Sequence, residues 1–130
     1  MNRLKRKYII FMHRHFKRYR LRKICEALDI VPYPWQRAFA LGKTDILNAP
    51  EGRATGKTTA VLLRLLMTYP GDTVNVMQIL KADPDFRTDI KLRVIWYDRE
   101  YRRMLNACAA KMPVQVLHIY MFYDGYTRRV

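Results

Sequence analysis

The run Ala60-Val-Leu-Leu-Arg-Leu-Leu-Met67 is apolar nearly all the way round a helical wheel. A surface helix shows one apolar stripe, whereas a helix of this kind must be covered on several sides. The rest of the chain therefore has to supply layers around it. With 130 residues, 50% of them hydrophobic, it can build one modest core. The helix is expected over 57–69, ended by Pro70-Gly71. Short apolar segments at 44–49, 73–80 and 114–122 read as strands, the last running toward a tight-turn signal at Asp124-Gly125. Asp83-Pro84 opens a further helix, a capping side chain followed by proline. Along it Phe86, Ile90, Val94, Tyr97, Tyr101, Met104, Leu105 and Cys108 fall on one core-facing stripe that lasts to about Lys111. Strands alternating with helices predict an α/β fold with a short parallel sheet.

Charge divides the chain unevenly. Its 25 Lys and Arg against 11 Asp and Glu give a net charge of +14. Ten of those cations lie at or before Lys23, where there is no acid at all. Residues 1–31 thus read as a basic helical arm preceding a domain at 32–130. Leu4, Tyr8, Ile9, Phe11, Met12, Phe16 and Tyr19 share one half of the wheel, and Arg3, Arg6, Lys7, Arg14, Lys17, Arg18 and Arg20 the other. Lys5 alone trespasses on the apolar side. A second helical stretch follows through Leu21, Ile24, Cys25 and Leu28. The apolar half is expected to dock on the domain while the cations face phosphates, whose condensed counterions they would release. Nucleic acid or a nucleoprotein complex is the partner this implies, and an anionic membrane surface is the weaker alternative.

Pro32 and Pro34 break the helical pattern, leaving 31–35 extended and a short helix over 36–41 that stops at Gly42. Ala49-Pro-Glu-Gly-Arg-Ala-Thr-Gly-Lys-Thr-Thr59 then lies between a strand-like and a helical segment. Gly56-Lys57-Thr58 matches the close of a phosphate-binding loop. In such a loop backbone N–H groups and the helix N-terminus wrap the β-phosphate, with Gly56 allowing close approach. Lys57 would reach the β- and γ-phosphates and the Thr58 hydroxyl would ligate Mg²⁺. The usual first glycine is Glu51 here, with Gly52 one step late.

Tyr33-Pro-Trp-Gln36 together with Gly52-Arg-Ala-Thr-Gly-Lys-Thr-Thr59 resembles the ATPase half of phage terminase large subunits, which package double-stranded DNA. The likeness runs roughly over 32–126 and includes Val116-Leu-His-Ile-Tyr-Met-Phe-Tyr-Asp-Gly125, similar to a family strand that enters a glycine turn. It implies a partial, three-layer P-loop NTPase-like fold, with ATP and Mg²⁺ as cofactors. It also implies nucleotide contacts from Gln36, Gly52, Arg53, Thr55, Gly56, Lys57, Thr58 and Thr59, with Gln36 reading adenine. The family's metal-holding and water-orienting acids lie downstream of the segment matching 122–126. The expectation is therefore little hydrolysis by this chain alone and no catalytic residue.

Candidate replacements are poor. Asp98 and Glu100 follow Val94-Ile-Trp-Tyr97, but the helical stripe passes through that stretch and pairs the two acids with Arg102 and Arg103. Leu92, Ile95 and Trp96, off the stripe, are expected in a second layer of core, with a partner surface as the alternative. His13 and His15 sit among cations and His118 alone in a strand. The chain has no serine, and Cys25 and Cys108 have no zinc spacing. No apolar run is long enough for a membrane span and no secretory signal is legible, so the expected address is the cytoplasm, of a host cell if the protein is phage-encoded. Two other functions fit the same features. One is a phage-encoded, anti-CRISPR-like inhibitor that blocks a host defence nucleoprotein without nucleotide. The other is an ATPase subunit of a packaging motor completed by a partner chain. An open sheet edge would also suit an oligomer.

Overall fold

The computed structural model describes residues 2–49, 56–67, 73–84, 90–111 and 127–129. They form α1 (Arg3–His15), α2 (Lys17–Leu28), α3 (Pro34–Ala40), α4 (Lys57–Leu66), β1 (Thr73–Asn75), α5 (Val76–Leu80), α6 (Ile90–Lys111) and β2 (Thr127–Arg129). The all-round apolar run does what its pattern requires. α4 packs against α2, α3, α5 and α6, and Ala60, Val61, Leu62, Leu63, Leu65 and Leu66 are all buried. At roughly 1.5–3 kcal/mol for each large aliphatic side chain removed from water, this helix is the centre of the fold.

Around it, α2 contributes Leu21, Ile24, Cys25 and Ala27 to the same core. α6 turns Val94, Tyr97, Tyr101, Met104 and Cys108 inward, along the stripe expected from sequence. Two helices end in the same way. The N–H of Ile30 bonds Cys25 O with Asp29 in the left-handed region, and the N–H of Lys43 bonds Ala38 O with Gly42 at φ +74°.

An α/β domain with a parallel sheet is not what forms. Helices dominate the described residues, and the strand pairing among them is a three-residue antiparallel ladder, Thr73 opposite Arg129 and Asn75 opposite Thr127. The partial P-loop NTPase-like layering implied by the terminase likeness falls with it. The segment expected as a first strand, 44–49, is irregular. Thr44 Oγ1 accepts the Ile46 N–H at 3.1 Å and leaves Ile46 exposed. Arg64, the one charged side chain in the apolar run, donates to Thr44 O at 3.0 Å and Asp45 Oδ1 at 2.7 Å, and so fastens the segment to α4. The second expected strand survives only as β1, and 76–80 is helical. As a strand Gln78 would share a face with Val76 and Leu80; as a helix those two apolar residues meet at i, i+4 and are buried, with Gln78 outside. The third expected strand, at 114–122, and the turn at Asp124-Gly125 lie outside the described residues, as do Phe86 and the loop at 50–55.

α3 begins at Pro34 rather than Gln36 because proline occupies the first helical position and Tyr33 caps it in extended conformation.

Candidate functional site

The arm is built from two helices that meet at Phe16, whose extended backbone (φ −122°, ψ 92°) ends α1 and starts α2. Asn2 opens α1 by accepting the Lys5 N–H at 2.7 Å. Neither helix has an acid in its first turn. Arg3, Lys5, Arg6, Lys7, Lys17 and Arg18 are exposed. Among the described residues none of these six is in an ion pair, since the pairs that form involve Arg22, Lys23, Arg64, Arg102 and Arg103. The apolar half of α1 is less buried than its pattern suggests. Ile9 and Ile10 pack on the core, but Leu4 is 78% exposed and Tyr8, Phe11 and Phe16 are all about half exposed. Phe11 lies tilted against His15 and edgewise to Phe16, with centroids 4.5 and 6.1 Å apart.

Arg20 does not belong with these cations. It is 2% exposed and donates from Nη2 to Leu66 O at 3.4 Å, at the C-terminal end of α4 where the helix dipole favours positive charge. Its charge also lies near Tyr101, whose hydroxyl is pushed well above the usual tyrosine range, first by burial. Arg14 lies within α1.

The sequence places a second candidate at the start of α4. Gly56 caps this helix at φ +93° and, as a glycine, brings no side-chain cap to its first N–H groups. Lys57, Thr58 and Thr59 are partly buried. Gln36 and Gly56, twenty residues apart, do come together: Gln36 Nε2 donates to Gly56 O at 3.0 Å. The other end of the same amide accepts the Tyr33 N–H at 2.8 Å, satisfying a backbone donor at the start of α3. Gln36 is buried, with Trp35 beside it against Gly56 and stacked on Tyr33 at 6.4 Å. The amide expected to read adenine is thus committed at both ends to backbone. The signal for this was present, since proline then glutamine at the first and third helical positions is also a helix-start pattern. Gly52, Arg53 and Thr55 lie outside the described residues.

Beneath the start of α4 is Asp83, whose place before Pro84 marks it in sequence only as a helix cap. Asp83 is buried and its Oδ2 accepts the Tyr97 hydroxyl at 2.5 Å. Burial, then the Asp83 hydrogen bond and charge, push the Tyr97 hydroxyl far above its ordinary value, opposed by Thr58 and Arg93. Thr58, the expected Mg²⁺ ligand, therefore faces a buried phenol. Among the described residues no three acidic, histidine or cysteine side chains gather to hold a metal ion. These residues fit an internal polar joint better than a nucleotide cradle. Asp98 and Glu100 pair with Arg102 at 3.1 Å and Arg103 at 2.8 Å on the surface of α6, as expected. Leu92 and Ile95 are exposed rather than in a second layer of core, while Trp96 packs edgewise on Tyr97 at 5.1 Å.

No described helix is long and apolar enough to cross a membrane. The chain matches no protein-family model, no curated protein and no solved structure.

Proposed function

We propose that this protein binds nucleic acid, free or within a nucleoprotein complex, through α1 and the start of α2. The observation that carries the reading is the set of six exposed cations, Arg3, Lys5, Arg6, Lys7, Lys17 and Arg18, without a carboxylate partner among the described residues. Such a cluster repels itself, and its N-terminal members oppose the dipole of α1, so a polyanion relieves both costs. Exposed Tyr8 and Phe11 lie on the same helix. Aromatic faces beside cations favour a single strand, because each base can stack and every phosphate meets a charge.

The test is anisotropy with labelled single- and double-stranded oligonucleotides across a salt series. Affinity for the single strand should fall with a log–log slope of about −3 to −4 if five phosphates are neutralised. Replacing Arg6, Lys7 and Lys17 with Glu should abolish binding, whereas Lys81→Glu, also exposed, should leave it intact. Binding that ignores both salt and the triple replacement refutes the reading.

Nucleotide binding is a second reading, supported by the left-handed Gly56, which starts α4 without a side-chain cap of its own. An ATP titration with and without Mg²⁺ tests it: saturable binding lost in Lys57→Ala favours it, and binding unaffected by Lys57→Ala excludes the loop.

A further inference from the structure

Between the arm and the α2–α3 connection lies a groove of about 810 Å³, open to solvent along one side. Leu21, Cys25, Ile30 and Leu41 line it, and none of these carries a charge. Phe16 and Val31 also line it; Val31 is 92% exposed and Phe16 49%. Val31, between Ile30 and Pro32, is an apolar side chain that could have been buried. Instead, the left-handed Asp29 cap sends Ile30 inward and leaves Val31 outside.

The charge on the lining is one-sided. Arg18, Arg37 and Lys43 have no carboxylate partner among the described residues. The acid present, Glu26, is already held by Arg22 at 3.9 Å and Lys23 at 3.5 Å. An apolar trough with unpaired cations along it complements a segment that is apolar on one face and acidic on its flanks. Bases and phosphates match it less well. A nucleic acid would leave the aliphatic lining in contact with polar base edges, whereas leucine or phenylalanine side chains would fill it.

We infer that this groove is the docking site for an acidic amphipathic helix of a partner protein, its apolar side chains lying over Leu21, Ile30 and Leu41 and its carboxylates meeting Arg18, Arg37 and Lys43. Apart from Arg18, these residues are separate from the cations proposed to hold nucleic acid. The two surfaces can therefore fail or stand independently.

The test uses the full chain and a fluorescein-labelled peptide of about four helical turns, with Leu at i, i+3, i+4 and i+7 and Glu on both flanks. Its controls are a scrambled isomer and a version with Lys for every Glu. The acidic helix should bind at least about tenfold more tightly than either control. Val31→Asp and, separately, Arg37→Glu should each weaken it about tenfold, and Lys43→Glu by a similar factor, while Arg6→Glu changes it less than about twofold. Val31 is so exposed that its replacement leaves the core untouched, and circular dichroism of each variant checks this. The inference is overturned if the acidic peptide binds no better than its scrambled isomer, or if Val31→Asp and Arg37→Glu bind it as well as the parent does. It is equally overturned if these two replacements instead abolish oligonucleotide binding, or if they dissolve a concentration-dependent dimer seen by sedimentation. Those results assign the groove to nucleic acid or to a second copy of the chain.

Discussion

Gly56 gives the sharpest test of how the centre of this fold is held together. Its φ of +93° lies where only glycine is comfortable, and a Cβ added there would stand 2.4 Å from Gln36 Nε2. Nε2 is the far end of a flexible side chain, and such an atom usually yields at little cost. Here it cannot yield alone, because the amide is buried and bonded at both ends, to Gly56 O at 3.0 Å and to the Tyr33 N–H at 2.8 Å. In Gly56→Ala the left-handed backbone costs about 1–2 kcal/mol. Displacing the amide forfeits two hydrogen bonds of about 1 kcal/mol each. A total of about 3–4 kcal/mol should appear in urea melts, with a fall of roughly 10–15 °C in Tm for a chain of this size. The decisive comparison is a double-mutant cycle. In a Gln36→Ala background nothing stands in the way of the new methyl, so Gly56→Ala should there cost only the backbone share, about 1–2 kcal/mol. An equal penalty in both backgrounds, or a penalty below about 0.5 kcal/mol in the parent, refutes the assignment of Gln36 as the joint between α3 and α4.

Two further outcomes follow from the same packing. Tyr97→Phe removes the hydroxyl that bonds buried Asp83 and should cost about 1.5–3 kcal/mol at neutral pH. Because folding raises the Tyr97 pKa above its ordinary value of 10.0, the associated stability is fully present below pH 10 and is lost as pH rises past it. Urea midpoints at pH 9 and pH 11 should therefore differ less in Tyr97→Phe than in the parent, and an unchanged difference refutes the linkage. In α1, Arg3 lies at i, i+3 from Arg6 and i, i+4 from Lys7, spacings at which like charges destabilise a helix by about 0.2–0.5 kcal/mol each. Amide exchange across α1 should slow as ionic strength rises, and should slow further in Lys7→Glu while oligonucleotide affinity falls. Exchange indifferent to salt would show that α1 is not strained by its own charge.

The helices were legible in the sequence wherever apolar spacing could be satisfied in one way. The stripe Val94, Tyr97, Tyr101, Met104 and Cys108 allows no strand, and the all-apolar α4 had to sit at the centre. The strands were not legible, because short apolar runs take their conformation from what they touch. Val76-Met-Gln-Ile-Leu80 satisfies a period of two and a period of four almost equally. Burial against α4 selects the helix, since only that places Val76 and Leu80 together without Gln78. At 44–49 the deciding residue is Arg64, whose two bonds to Thr44 and Asp45 hold the backbone irregular from twenty residues away. No local pattern contains that information.

The candidate site divides along the same line. Around Gly56, the polar groups a phosphate loop would offer are turned toward the protein: Gln36 to two backbone groups, Thr58 toward Tyr97, and Tyr97 to Asp83. Buried polar groups that satisfy one another fix the relation of α3, α4 and α6, and any ligand there would have to break bonds before making its own. Arg3, Lys5, Arg6 and Lys7 have the opposite standing. Exposed and without acidic partners among the described residues, they gain from a polyanion without surrendering anything within the fold. Arg20 shows how narrow the distinction is, since it shares their half of the helical wheel and yet is spent on Leu66 O. Helical periodicity put it with the binding cations, but the bend at Phe16 rotates α2 out of register with α1 and carries Arg20 under the C-terminal end of α4. Which of the arm's cations stay available to a polyanion thus follows from which of them the fold leaves uncompensated.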